Sequence, residues 1–237
     1  MGSRLSGRVV AEGIGTALLL ATVVGSGIMG ERLFGGNAGL ALLANSLATG
    51  AGLVALILTF GPVSGAHFNP VVTLAAASQG GLSWRDASAY VMAQVAGAIL
   101  GVAAAHIMFS EPVFSPSSRA RAGPEMLFSE FIATFGLLAV IWACSRRRAP
   151  AVPLAVGAYI TAAYWFTSST SFANPAVTLA RSMTDTFTGI RPADVPGFIV
   201  AQVAGGMAAT WLVRWLVPST PGAARDVVVP HDEGEAR

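Results

Sequence analysis

Two seven-residue segments, Asn69-Pro70-Val71-Val72-Thr73-Leu74-Ala75 and Asn174-Pro175-Ala176-Val177-Thr178-Leu179-Ala180, agree at six positions. An Asn at a helix N-cap accepts from the helix's orphan N–H groups, and Pro at the next position gives up a donor that had no partner there. Each Asn amide nitrogen is then free to donate to a solute. Two further pairs follow in the same order: Glu12 in AEGIGT with Glu130 in SEFIAT, and AQVAG at 93–97 with AQVAG at 201–205. A carboxylate inside an apolar run is costly and implies a partner or a task. Glu12 and Glu130 read as acceptors for backbone N–H groups and polar side chains of the box-bearing loops, with proton relay as the other reading.

The remaining chemistry is sparse. Cys144 is the only cysteine, and with the three histidines it shows no metal-ligand spacing, so neither a metal site nor a cofactor is expected. Ser64 and His67 stand three apart with nothing to orient them as a dyad, which argues against an intramembrane hydrolase and against an enzyme.

The chain that must position these residues has 237 residues, 54% hydrophobic and 11% charged, with mean hydropathy +0.64. Soluble domains carry about 25% charged residues, so lipid must solvate much of this surface. The net charge is +2, and all 14 basic residues are Arg, scattered among apolar runs rather than gathered in a patch. No nucleic-acid partner is expected. Six apolar runs, at 8–29, 39–60, 84–108, 125–144, 151–168 and 195–217, are near the length that crosses a bilayer. The first exceeds a signal-peptide core and has no A-x-A site after it, so it is read as a helix. Trp84, Trp142, Trp211 and Trp215 fall near span ends and read as headgroup-level anchors. Arg4, Arg8, Arg85 and Arg146-Arg147-Arg148 place both termini in the cytoplasm of a multi-pass protein of the inner (plasma) membrane, although Arg32, Arg119, Arg121, Arg181 and Arg191 lie on the opposite side.

Each half holds three spans, an odd number, so the second copy is inverted relative to the first, and such repeats place a path near the midplane. The expected fold is an all-α integral membrane protein: six transmembrane helices plus two re-entrant half-helices in an inverted 3+3 repeat. One channel domain spans 1–218, with repeats at 8–108 and 125–217, followed by a cytoplasmic tail at 219–237. From Asn69 to Ser78 a helix rises about 15 Å, half of a ~30 Å hydrocarbon core. Non-helical backbone at that depth must be buried or line a cavity. Two helix N-termini meeting there, each about +0.5 charge, repel a cation by about 3 kcal/mol at ~5 Å and an effective dielectric of about 20. Neutral hydrogen-bond acceptors escape that penalty. An ion-coupled secondary transporter shares the broken-helix design but needs titratable groups on the path, and only Glu12 and Glu130 lie well inside the spans.

With SGAHFNPVVT at 64–73, SFANPAVTLA at 171–180, the paired Glu and the paired AQVAG, the sequence resembles the aquaporin and aquaglyceroporin family over nearly all of residues 8–217. The first box reads Asn-Pro-Val where the family has Asn-Pro-Ala, which keeps cap and donor. The resemblance implies a homotetramer in the lipid bilayer with one pore per subunit and passive flow of small neutral solutes. Most members carry Arg directly after the second box, at the selectivity filter, where this chain has Val177. By family spacing the other filter positions fall on Thr49, Ala162 and Ser171. The loop is one residue short, so Phe172 is the alternative to Ser171, and Ala163 or Tyr159 to Ala162. Losing Arg and an aromatic should widen the constriction. Asn-Pro-Ala-Val followed by TLAR and DTFTGI looks like a bacterial branch whose members accompany arsenic-resistance genes. Arsenite is therefore the leading solute, with glycerol, water and methylated arsenicals as competitors, and a plain water channel or glycerol facilitator as the alternative function.

Several residues keep two readings. Arg181, one turn beyond Val177, is a ring of charge at the outer mouth or a partner of Asp185. His67 lines the cytoplasmic half, as the family match implies, or is a buried hydrogen-bonding residue. Asn45 faces the pore or packs between helices, and Gly97 with Gly101 reads as close helix packing. Tyr159, Tyr164, Trp165 and Phe166 face pore or lipid, and periodicity does not separate them.

Overall fold

A computed structural model describes residues 4–216, and the tail expected at 219–237 lies outside them. Helices α1 (Leu5–Leu33), α2 (Ala38–Ser64), the short α3 (Pro70–Ser78) and α4 (Trp84–Phe109) form the first half. Helices α5 (Pro124–Arg147), α6 (Val152–Phe166), the short α7 (Pro175–Arg181) and α8 (Val195–Leu216) form the second, with single 3₁₀ turns before α6 and α8. Six of these are long and apolar enough to cross a membrane. Local chemistry sets their ends. Asn37 caps α2 by accepting from the Leu40 amide, Ser83 caps α4 by accepting from that of Asp86, and α5 opens on Pro124 at its first turn. Gly65 ends α2 at φ 86°, a left-handed conformation that favours glycine.

Within each half the crossing helices touch through glycine. A Cβ on Gly97 of α4 would collide with the Gly13 carbonyl of α1, and one on Gly205 of α8 with the Phe131 carbonyl of α5. A Cβ on Gly101 would strike the Ala17 carbonyl in the same way. Small residues let backbones approach, so dispersion contacts accumulate where lipid offers no hydrophobic drive between helices. Gly13 and Phe131 directly follow Glu12 and Glu130, so the AQVAG repeats are packed against the Glu repeats.

The outer surface carries Leu100, Ile107, Leu154, Val200, Trp211 and Trp215, each at least 64% exposed, as lipid-facing positions require. Trp84 is likewise exposed, but Trp142 differs from the expected anchor role. It is buried, and its indole N–H donates to Thr210 Oγ1 at 3.1 Å, joining α5 to α8. Nearness to a span end places a residue along the helix axis but does not give its angle around the axis.

The two short helices enter from opposite sides and meet at their N-termini. With nine and seven residues they rise about 13 and 10 Å. Together they nearly make one further crossing of a ~30 Å core.

Candidate functional site

The segments leading into α3 and α7 run through the protein interior with non-glycine residues in the left-handed region: Ala66 (φ 50°), Phe68 (48°), Ser171 (52°) and Ala173 (49°). Such residues cost on the order of 1–3 kcal/mol each and persist only where surroundings hold them. What holds them is a carboxylate in each half. Glu12 Oε1 accepts from Ser64 Oγ at 2.7 Å and the His67 amide at 2.9 Å, and Oε2 accepts from the Phe68 amide at 2.7 Å and Gln94 Nε2 at 2.8 Å. Glu130 repeats the set with Ser169 Oγ at 2.6 Å, the Phe172 and Ala173 amides at 2.9 Å, and Gln202 Nε2 at 2.6 Å. Gln94 also donates to Thr73 Oγ1 and Gln202 to Thr178 Oγ1. All three repeated motifs therefore converge on one network in each half, and its acceptors fit ionised carboxylates engaged on both oxygens.

At the boxes, Asn69 Oδ1 accepts from the Val71 amide at 2.9 Å, and Asn174 Oδ1 accepts from those of Ala176 and Val177 at 3.0 and 3.3 Å. Pro70 and Pro175 occupy the first helical turn. The amide nitrogens are less free than the sequence reading had them. Asn69 Nδ2 donates to the Ala173 carbonyl at 2.8 Å and Asn174 Nδ2 to the Phe68 carbonyl at 2.7 Å, so each Asn bridges to the other half. An amide NH₂ has two hydrogens, and one on each Asn remains for a solute. Both residues line the cavity.

That cavity runs between the two halves with about 60 Å³ of water-accessible space. Its apolar wall comes from equivalent positions, Leu19 and Val23 of α1 with Leu137 and Ile141 of α5. His67 lines it too, its Nδ1 3.1 Å from Thr73 Oγ1. Of the expected filter positions, Thr49, Ser171, Phe172 and Val177 all face the cavity. Ala162 does not: it is exposed on the outer side of α6. Ala163 is buried away from the lining, and Tyr159 Oη donates to the Ala133 carbonyl at 3.1 Å. The cavity stripe of α6 is Val156, Ile160 and Tyr164, spaced by one turn each. Counting back across an irregular loop misplaced the phase by two residues, and two residues turn a helix by about 200°. Tyr164 Oη lies 3.2 Å from Thr49 Oγ1, so an aromatic reaches across to α2. A run of bulky residues at i, i+4 and i+8 beside Ala155, Ala158 and Ala162 was the available sign.

Arg181 also lines the cavity, at 2% exposure. Its Nε donates to the Thr188 carbonyl and its guanidinium carbon lies 3.4 Å from the Phe172 ring centroid. The alternative partner, Asp185, is engaged elsewhere, accepting from the amide and hydroxyl of Ser118 at 2.9 Å. Arg121, from the loop between α4 and α5, approaches the same ring at 5.0 Å and donates to the Gly189 and Ser169 carbonyls at 2.8 and 3.1 Å. Burial lowers its guanidinium pKa to about 10, so it stays charged at neutral pH. Asn45 packs between helices, donating to the Val23 carbonyl and Ser26 Oγ of α1.

Six spanning helices and two half-helices around a narrow, mostly apolar cavity define a membrane channel, a device that needs no reacting group and is not an enzyme. The profile of the major intrinsic proteins matches residues 3–171 and 147–235, and the chain belongs to this family. It is 57% identical over 218 residues to Aquaglyceroporin AqpS of Rhizobium meliloti (strain 1021), covering 92% of this chain and 93% of the relative. With Aquaporin NIP1-1 of Oryza sativa subsp. japonica it shares 32% identity over 216 residues, 86% of this chain and 72% of the relative. The fold matches the X-ray structure of the aquaglyceroporin from Plasmodium falciparum with TM-score 0.72 at 20% identity, over 91% of this chain and 98% of that one.

Proposed function

We propose that this protein is a passive channel for small uncharged hydroxylated solutes, glycerol and arsenite with water, working as a homotetramer with one pore per subunit and both termini in the cytoplasm. The observation that carries this reading is the pairing of Asn69 and Asn174 across the midplane, with both nearby carboxylates consumed by the loops. Two helix N-termini and two remaining amide hydrogens favour a neutral solute that accepts hydrogen bonds, and among the described residues no carboxylate lines the cavity to compensate a cation. Val177 directly after the second box and Thr49 on α2 line the cavity together with Tyr164, and small uncharged side chains at the first two positions support a path for a polyol-sized solute. The name of the Rhizobium relative, an aquaglyceroporin, agrees with a polyol-sized path. Undissociated arsenite, a neutral trihydroxy solute, fits the same description.

The test is stopped-flow light scattering on proteoliposomes, reading water, glycerol and arsenite permeability for wild type and Val177→Arg. Wild type is expected to pass all three without dependence on a proton gradient, and the variant to suppress glycerol and arsenite while sparing water. Passage of water alone by wild type overturns the solute class, and gradient-dependent flux overturns passive flow.

A further inference from the structure

We propose that Arg181, rather than a residue directly following the second box, is the specificity-determining cation of this pore. Resting on the channel reading above, the inference concerns which side chain excludes cations and donates to the passing solute. Arg181 closes a seven-residue helix and its long side chain stays inside the protein, beside Val177, Ser171 and Phe172 on the cavity wall. A basic residue that merely serves a helix C-terminus projects into water. Here Nε is fixed on the Thr188 carbonyl and the guanidinium plane is held against Phe172. Phe172 is itself immobilised: its amide donates to Glu130, and its ring meets that of Phe198 edge to face at 5.2 Å. The two terminal nitrogens of Arg181 have no hydrogen-bond partner among the described residues, and neither Arg181 nor Arg121 is in an ion pair among them. A buried guanidinium with an unused planar fork of donors is costly unless something in the cavity accepts from it. Hydroxyl oxygens of a neutral solute do so, and Ser171 Oγ, buried and without a hydrogen-bond partner among the described residues, lines the same cavity. A cation at ~6 Å from the guanidinium, at an effective dielectric of about 20, is disfavoured by on the order of a hundredfold. Val177 thus does not leave the constriction uncharged, because the charge arrives from one turn further along α7.

The experiment compares wild type, Arg181→Gln and Arg181→Lys in proteoliposomes, reading methylammonium influx beside glycerol permeability. Arg181→Gln is expected to raise methylammonium influx several-fold, short of the hundredfold lost at this site because the helix N-termini at the boxes still oppose a cation, while glycerol flow remains measurable. Arg181→Lys is expected to keep cations out and to lower glycerol permeability several-fold, since an ammonium has charge but no planar fork. Arg181→Gln that passes glycerol and leaks no more methylammonium than wild type overturns the proposal. Should Arg181→Gln not fold, Arg181→Lys decides: wild-type values in both assays overturn it, and retained exclusion with reduced glycerol flow supports it. Wild type that carries no glycerol defeats the solute class proposed above, and the methylammonium arm still reads Arg181 separately.

Discussion

Replacing Glu12 by Gln keeps the shape of the side chain and changes only what it can accept. The carboxylate takes four hydrogen bonds, two from backbone amides of the left-handed loop and two from Ser64 and Gln94. Gln presents one oxygen and one NH₂. With the NH₂ on the Oε2 side, Gln94 can flip to offer its Oε1, which is buried and unpartnered in wild type, but the Phe68 amide faces a donor. With the NH₂ on the other side, Ser64 can accept and the His67 amide is orphaned. Either arrangement strands one backbone N–H at about 1–3 kcal/mol and turns bonds of about 1.5–3 kcal/mol into neutral ones of about 1 kcal/mol. These are net values that already include desolvation of the charge, and the loss is about 4 kcal/mol. At about 2–4 °C per kcal/mol for a chain of this size, thermal unfolding in detergent should move down by roughly 8–16 °C. Tryptophan fluorescence reads the transition, and glycerol permeability should fall with it as the loop at 65–69 loses its hold. Glu130→Gln should match it, because its four partners are equivalent. A Glu12→Gln protein that melts within 3 °C of wild type (about 1 kcal/mol) and keeps its permeability refutes the argument that the carboxylate holds the loop.

Two further outcomes follow from the packing and the outer loops. Gly97→Val places atoms where the Gly13 carbonyl sits, and a clash with backbone is relieved only by separating α1 from α4; a loss of at least 1–3 kcal/mol is expected, and an unchanged unfolding temperature would contradict it. At the outer surface, the amide and hydroxyl of Ser118 hold the Asp185 carboxyl below its ordinary pKa, so the contact is present above the ordinary carboxylate range of about 4 and lost as pH falls through the depressed value. Hydrogen exchange at the Ser118 amide should therefore lose protection in acid, and Asp185→Asn should show the unprotected rate at every pH; a rate indifferent to both counts against the contact.

The skeleton of this fold was legible because it is written twice. Glu12, Thr73 of the first box and Gln94 recur as Glu130, Thr178 of the second and Gln202, and the bonds among them are what the duplication preserves. The half-helices were legible from Asn-Pro caps inside stretches too apolar for water and too short to cross. The filter was less so, for two physical reasons. A helix turns 100° per residue, so counting through the loop after Phe166 put Ala162 on the lining where Ile160 and Tyr164 stand. A long side chain such as Arg181 goes where its acceptor is, and Thr188 and Phe172 are brought to it by segments whose course the sequence pattern does not reveal. Trp142 shows the same limit, its height along the helix legible and its facing not.

The bridge between the boxes has the form of a two-fold contact between identical partners: Asn69 reaches Ala173 while Asn174 reaches Phe68. That is the isologous pattern of a symmetric dimer interface, folded into one polypeptide. Neither half contains a finished midpoint, because the acceptor each Asn needs lies more than a hundred residues away. During synthesis the first half can insert and close its own Glu12 network, yet its Asn69 has no carbonyl to bridge until residue 173 has been made and turned inward. The bridge at the boxes is therefore assembled only once both loops exist, and a change in either loop is felt by the asparagine of the other.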